Sequence, residues 1–230
     1  MIIVKSNKGI LKESKPAQGK SFKMIAKTMF GFEEILADEL RALGAEDVQP
    51  INRAVSFTGT MDTLYKANYC CRTALSILKP FAEFEANNEN ELYDNVYAIK
   101  WEQILDVDCT FFFESAANSK IFTNSYYAAL KTKDAIVDRF KRMFGKRPTV
   151  DTENADYKFN IHIYDNKVTL LMNSSGESLH KRGYRQGVGI APINEVLAAG
   201  LIQLSGWKAD SNFFDPMCGS GTILIEAAMY

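Results

Sequence analysis

The stretch that most constrains this chain is its last: Phe213-Phe214-Asp215-Pro216-Met217-Cys218-Gly219-Ser220-Gly221-Thr222, running into Ile223-Leu224-Ile225-Glu226-Ala227-Ala228. It reads as a buried strand end, a glycine loop and the first turns of a helix. That order belongs to an open α/β sheet, where ligands sit outside the carboxyl ends of the strands. Glycines let the backbone approach a ligand closely, and a helix N-terminus offers unpaired N–H groups to a negative group. The sequence stops inside that helix, at Tyr230. The reading therefore expects a sheet domain begun and not completed, as in a piece of a larger enzyme.

The loop narrows the ligand. A Walker-type phosphate loop needs Lys-Ser or Lys-Thr after its last glycine, and here Thr222-Ile223 follows Gly221. The dinucleotide fingerprint needs a third small residue three positions after Gly221, where this chain has Leu224. What remains is Asp-x-x-x-Gly-x-Gly, which resembles the first motif of S-adenosylmethionine-dependent methyltransferases. That cofactor carries an ammonium and a carboxylate. Asp215 can accept from the first, and backbone N–H groups from Gly219 to Thr222 can meet the second. The plainer alternative is a glycine turn between strand and helix with no ligand. Cys218 sits near the helix start, but nothing nearby in sequence supplies a paired base, so it reads as a small packing residue.

Composition sets outer bounds. With 47% apolar and 24% charged residues, the chain can bury more than one core. A net charge of −1 excludes a global basic field, so any nucleic-acid site must be a local patch. The cysteines (Cys70, Cys71, Cys109, Cys218) and histidines (His162, His180) have no metal-ligand spacing, and Cys70-Cys71 reads as core. No apolar run reaches membrane-spanning length, and there is no apolar signal region. The expectation is a reducing, cytoplasmic setting with no metal and no membrane partner.

Along the chain, residues 1–21 read as a flexible lead-in. A strand over 22–26, a helix carried by Phe32, Leu36, Leu40 and Leu43 and closed by Gly44, a strand over 54–57, a short helix capped by Thr60, and a strand over 73–84 make a ferredoxin-like α+β subdomain over 22–84. The polar residues 86–91 read as a loop. A second unit follows over 85–178: a helix at 92–99, an aromatic strand at 110–116, a helix over 131–144 capped by Thr132 and ended by Gly145, and a hairpin turning at Asp165-Asn166. Residues 179–190 form a basic linker, and 191–230 begin a third domain, with Pro192 opening a helix. The fold class is α/β with an α+β N-terminal part, leading into a Rossmann-like sheet.

The motif at 215–228 looks like the cofactor motif of the large-subunit ribosomal RNA guanine-N2 methyltransferases, whose relatives are often labelled N6-adenine-specific DNA methylases. Leu179-His180-Lys181-Arg182-Gly183-Tyr184-Arg185 and Ala191-Pro192-Ile193-Asn194-Glu195 resemble the same family, and residues 85–175 resemble a THUMP domain, an RNA-binding module. The resemblance implies S-adenosylmethionine as cofactor and ribosomal RNA as partner. It places Asp215, Pro216, Met217, Cys218, Gly219, Ser220, Gly221 and Thr222 against the cofactor, with Pro192, Asn194 and Glu195 near the same pocket. A helix-starting proline and a first-turn acid explain Pro192 and Glu195 as well.

Methylating an exocyclic amine requires acceptors against its hydrogens and a flat wall against the base, usually flipped out. The family supplies these with an Asn- or Asp-Pro-Pro-aromatic segment. No two of the six prolines here are adjacent, so the expectation is no catalytic residue within these 230, weak or no cofactor binding by them alone, and a poorly supported 186–230. RNA contacts are expected from Lys131, Lys133, Arg139, Arg142, Lys146 and Arg147 on the helix, and from Lys181, Arg182, Tyr184 and Arg185 in the linker. A solvated helix face, and an internal joint whose arginines pair with acids, are the competing readings. An N6-adenine DNA methyltransferase and an RNA-binding module without activity remain as rivals.

Overall fold

The computed structural model describes residues 19–185 and 192–230. Most of the expected lead-in, Ala191 and the end of the basic linker lie outside the described residues. The described chain divides into two compact units, one of residues 80–173 and one joining 19–79 with 174–230.

In the second of these, β1 (Phe22–Thr28), α1 (Glu33–Ala42), β2 (Glu46–Ile51), β3 (Ala54–Gly59), α2 (Met61–Cys70) and the first half of β4 (Ala74–Glu85) form a ferredoxin-like fold. Its strand order is β2-β3-β1-β4, with neighbours antiparallel. Period-2 alternation sends Met24, Ala26, Val55 and Phe57 to the face covered by Leu36, Leu40 and Leu64. The end of α1 follows from Gly44, left-handed at φ 82°, whose N–H donates to Arg41 O while that of Ala45 donates to Leu40 O, both at 3.0 Å. These two bonds satisfy carbonyls that the helix end would otherwise orphan.

Strand β2 was not expected from the sequence. It is the edge strand, where Pro50 removes no needed ladder bond. Asp47, at φ 49°, sits where its register slips against β3.

Two helices complete this unit. Helix α5 (Glu195–Leu204) buries Val196, Ala198, Ala199 and Ile202 and touches α1. Gly200 lies so close to Phe32 that a Cβ there would fall 2.3 Å from the ring. Helix α6 (Thr222–Ala228) packs on α5. Three expectations are corrected. The described residues from 174 to 230 do not stand apart but cluster with the ferredoxin-like fold. Pro192 precedes the helix, whose N-cap is Asn194. Residues 213–215 form no strand, and Phe214 is 85% exposed; no neighbouring strand among the described residues is there to pair with them.

The unit over 80–173 holds the rest of β4, α3 (Glu89–Ala98), a 3-10 turn (Trp101–Gln103), β5 (Thr110–Asn118), α4 (Ser125–Phe144), β6 (Thr149–Val150), β7 (Tyr157–Tyr164) and β8 (Lys167–Asn173). β5 lies parallel to both β6 and β7, and β7 is antiparallel to β8. The β7–β8 turn is Asp165-Asn166, with Asp165 at φ 52°, the positive φ that a two-residue hairpin turn demands. Phe81, Trp101, Phe113 and Phe159 pack edge to face and stacked at the centre.

The helices here start earlier than expected. Asn88 caps α3 through the amides of Asn90 and Glu91, so 89–91 are helix rather than loop. Asn124 caps α4 seven residues before Lys131, accepting from Tyr127 N–H at 3.1 Å. Thr132 is therefore no cap. It is fully buried mid-helix beside Ala128, Ala129 and Ala135. Gly145 ends the helix as expected, left-handed at φ 67°.

Candidate functional site

The glycine loop is shaped by its own backbone. Asp215 Oδ1 accepts from Met217 N–H at 3.0 Å, and Gly221 N–H donates to Cys218 O at 2.7 Å. Gly219 and Gly221 are left-handed, at φ 54° and 75°, and Ser220 between them is not. Such alternation turns successive N–H groups toward a common concavity. Thr222, buried, opens α6, and its hydroxyl lies 3.2 Å from Ser220 Oγ. Asp215 is half-buried, whereas Pro216, Met217, Cys218, Gly219 and Ser220 lie at the surface. Cys218 is thus exposed, not packed, and so is Cys70; only Cys71 of that pair is buried.

The segment before α5 lies beside a cleft of about 560 Å³ lined by His180, Lys181, Arg185, Pro192, Asn194 and Glu195. Asn194 Oδ1 accepts from Val196 and Leu197 N–H at 2.9 and 3.3 Å, so its side chain is used as a cap. Glu195 is buried, and its Oε1 lies 2.6 Å from Arg185 Nε, close enough for an ion pair though the N–H is not aligned for a hydrogen bond. Arg185 Nη2 also donates to Ile193 O at 2.5 Å and to Thr222 Oγ1 at 3.3 Å. One guanidinium therefore joins the start of α5 to the start of α6. Of the expected cofactor residues, 215–222 form one loop, and Glu195 is tied to it through Arg185. Pro192 and Asn194 line the neighbouring cleft, which no loop residue lines.

A second carboxylate organises the other end of α6. Glu226 has a fully buried side chain. Its Oε2 takes Arg72 Nη2 at 2.5 Å, and its Oε1 takes Tyr184 OH at 3.1 Å and Arg182 Nε at 3.4 Å. Arg182 also donates to Leu179 O at 2.8 Å and Arg72 O at 2.5 Å. Burial, and then the Glu226 carboxylate, push the Tyr184 hydroxyl up to about 12. Arg182, Tyr184 and Arg185, expected to contact RNA, here face internal acids and carbonyls, as the competing reading of an internal joint has it. Lys181 is the exposed cation of the linker, 3.2 Å from Glu177. Sequence reasoning missed Arg72 and Glu226. The available signal was one acid inside the apolar run 223–228, which a buried helix tolerates only if the charge is paired.

The helix cations of the other unit also separate. Arg139 forms a fork on Glu102, with Nε to Oε2 and Nη2 to Oε1 both at 2.8 Å, and its Nη1 donates to Tyr97 O at 2.9 Å. It braces α4 against α3 and the 3-10 turn, so the guanidinium expected to meet phosphate is paired within the unit. Lys131 lies over the Tyr127 ring and Lys133 beside Asp134. Arg142, Lys146 and Arg147 are exposed at the end of α4 and just beyond it. Among the described residues, no group of His, Cys, Asp or Glu could hold a metal, and no helix is long and apolar enough to cross a membrane.

Three known domains are similar to successive parts of the chain. The RlmL ferredoxin-like domain matches residues 23–78, the THUMP domain 86–173, and the RMKL-like methyltransferase domain 182–230. The chain is 42% identical over 206 residues to the ribosomal RNA large subunit methyltransferase K/L of Buchnera aphidicola, an alignment covering 90% of this chain and 30% of that protein. A predicted N6-adenine-specific DNA methylase from Listeria monocytogenes superposes with a TM-score of 0.77 at 34% identity, covering 91% of this chain and 55% of its own. SMU.472, described as a methyltransferase complexed with SAH, superposes at 0.74 and 36% identity with the same coverage. The chain thus spans under a third of the curated relative and just over half of the solved ones. Along its length the chain is similar, in order, to an RlmL ferredoxin-like domain, a THUMP domain and an RMKL-like methyltransferase domain.

Proposed function

We propose that this chain is the RNA-recognising and cofactor-cradling part of an enzyme that methylates guanine N2 in large-subunit ribosomal RNA with S-adenosylmethionine. The observation that carries the reading is the joining of a THUMP match to a methyltransferase match, in a chain 42% identical to a ribosomal RNA large subunit methyltransferase. The loop's chemistry suits the cofactor's amino-acid end. The amide of Gly221 is taken by Cys218 O, which leaves those of Gly219, Ser220 and Thr222 to meet a carboxylate, and Asp215 has a second carboxylate oxygen to accept from an ammonium. When bound, the cofactor supplies an electrophilic methyl group. The residues named here hold and orient it, and none of them is assigned to the proton on the accepting amine. Domain limits at 22–84, 85–178, 179–190 and 191–230 go with this reading, as does a cytoplasmic setting. Arg142, Lys146 and Arg147 are the cations of α4 and its C-terminal end best placed for phosphates.

The test uses the complete product of the gene, labelled S-adenosylmethionine, and unmodified large-subunit ribosomal RNA or DNA. N2-methylguanosine in the digested RNA is expected. N6-methyladenine in DNA, the reading favoured by the name of the Listeria neighbour, or no incorporation at all, overturns the proposal.

A further inference from the structure

Helix α6 is held at both ends, and its far hold comes from the ferredoxin-like fold. Arg72 lies between α2 and β4 and is fixed on three sides. Its own N–H donates to both oxygens of Glu39 on α1, at 3.3 and 3.1 Å. Its carbonyl accepts from Arg182 at 2.5 Å. Its guanidinium reaches Glu226 Oε2, Glu226 O at 3.1 Å and Met229 O. The last two are carbonyls that the end of α6 cannot satisfy internally. Glu39 is itself immobilised, accepting from Thr73 N–H and Oγ1 at 3.1 and 2.8 Å and from Gln203 of α5 at 2.6 Å.

We propose that Arg72 is a positioning residue for the glycine loop, acting through the buried carboxylate of Glu226. The inference rests on the reading of that loop as the cofactor's cradle. Helix α6 has seven residues and is about 10 Å long, so a tilt of about 10° at one end carries the other by nearly 2 Å. Misplacing a binding group by about 1 Å can cost on the order of a hundredfold in rate. The loop is continuous with the first residue of α6, so whatever sets the helix axis sets the direction of the loop amides. Arg185 fixes the near end at Thr222. Without Arg72, the Glu226 carboxylate keeps Arg182 at 3.4 Å and Tyr184 at 3.1 Å, both on its Oε1.

The test compares Arg72→Met and Arg72→Lys in the complete gene product. With Met, KM for S-adenosylmethionine is expected to rise at least about tenfold, KM for RNA to stay, and Lys to recover part of the loss. Hydrogen exchange without cofactor is expected to quicken at residues 219–225 and not at 86–173. A folded Arg72→Met protein with unchanged KM and exchange overturns the proposal. So does exchange that quickens throughout the chain while both KM values rise. Should Arg72→Met fail to fold, Tyr184→Phe removes only the hydroxyl on Glu226; a smaller shift in the same direction supports the proposal, and none overturns it. Absence of cofactor binding by the unaltered protein defeats the cradle reading instead, and the exchange arm still decides the role of Arg72.

Discussion

Replacing Arg139 by methionine should unfold residues 80–173 more easily without weakening RNA binding. The side chains of Arg139 and Glu102 retain 16% and 22% of their exposure. A fully exposed pair contributes about 0–1 kcal/mol, whereas removing one partner of a buried pair costs about 3–5 kcal/mol. This pair is a two-pronged fork with a further bond to Tyr97 O, and it is mostly enclosed. An intermediate cost of about 2–3 kcal/mol follows. Methionine keeps much of the stem's packing, so the loss reports the guanidinium. Trp101 is buried next to Glu102, and Trp207 is the other tryptophan. In a Trp207→Phe background, urea unfolding followed by tryptophan fluorescence therefore reads this unit. At an m-value of about 1–3 kcal/mol per molar, the midpoint should fall by about 0.7–3 M. Binding to ribosomal RNA at low temperature, where both proteins are folded, should agree within about twofold. An unchanged midpoint with lost RNA affinity would refute the brace and restore Arg139 as a phosphate contact.

Three further outcomes follow from the same geometry. Lys146→Ala with Arg147→Ala should leave the unfolding midpoint within about 0.5 kcal/mol, while the slope of log affinity against log salt shrinks by about 0.7 for each lost phosphate contact; an unchanged slope removes them from the interface. The Arg139 hydrogen bond holds the Glu102 carboxyl below 4.5 against the opposing effect of burial, so its contribution is present above pH 4.5 and is lost as pH falls through the folded value. In pH-dependent melts, Glu102→Gln should flatten this window. Gly200→Ala should lower stability, because overpacking Phe32 costs about 1–3 kcal/mol against about 1 kcal/mol gained in helix propensity; Phe32→Leu should restore it, and a Gly200→Ala protein as stable as the parent would show that the ring simply moves aside.

How much of this was legible depends on where each signal resides. Helix α1 was readable because Phe32, Leu36, Leu40 and Gly44 carry both its apolar period and its end. The hairpin was readable because Asp165-Asn166 is a local turn signal between two alternating runs. Strand β2 was not, since its residues 46–51 include Asp47 and Pro50, and only its place at the sheet edge makes them acceptable. The start of α4 was misplaced because a threonine followed by an acid imitates a cap. Burial of Thr132 is a tertiary fact that no window of sequence contains. The apolar pair Phe213-Phe214 promised a strand, but a strand exists only through its neighbours.

The linker at 181–185 shows the same limit for charge. Three cations, a tyrosine and no acid read equally well as a grip on RNA or as an internal joint, because local charge does not reveal which acids approach from elsewhere. Here they come from Glu195 and Glu226, both later in the chain. Burying either carboxylate unpaired would be prohibitive, so once α5 and α6 pack with these acids inward, the arginines must follow them. The opposite holds for Arg142, Lys146 and Arg147, which stay exposed. The internal acids thus divide the basic residues between those that hold the glycine loop and those left at the surface, where the proposed RNA contacts would lie. A search for RNA contacts in this chain therefore begins at the end of α4 rather than in the basic linker.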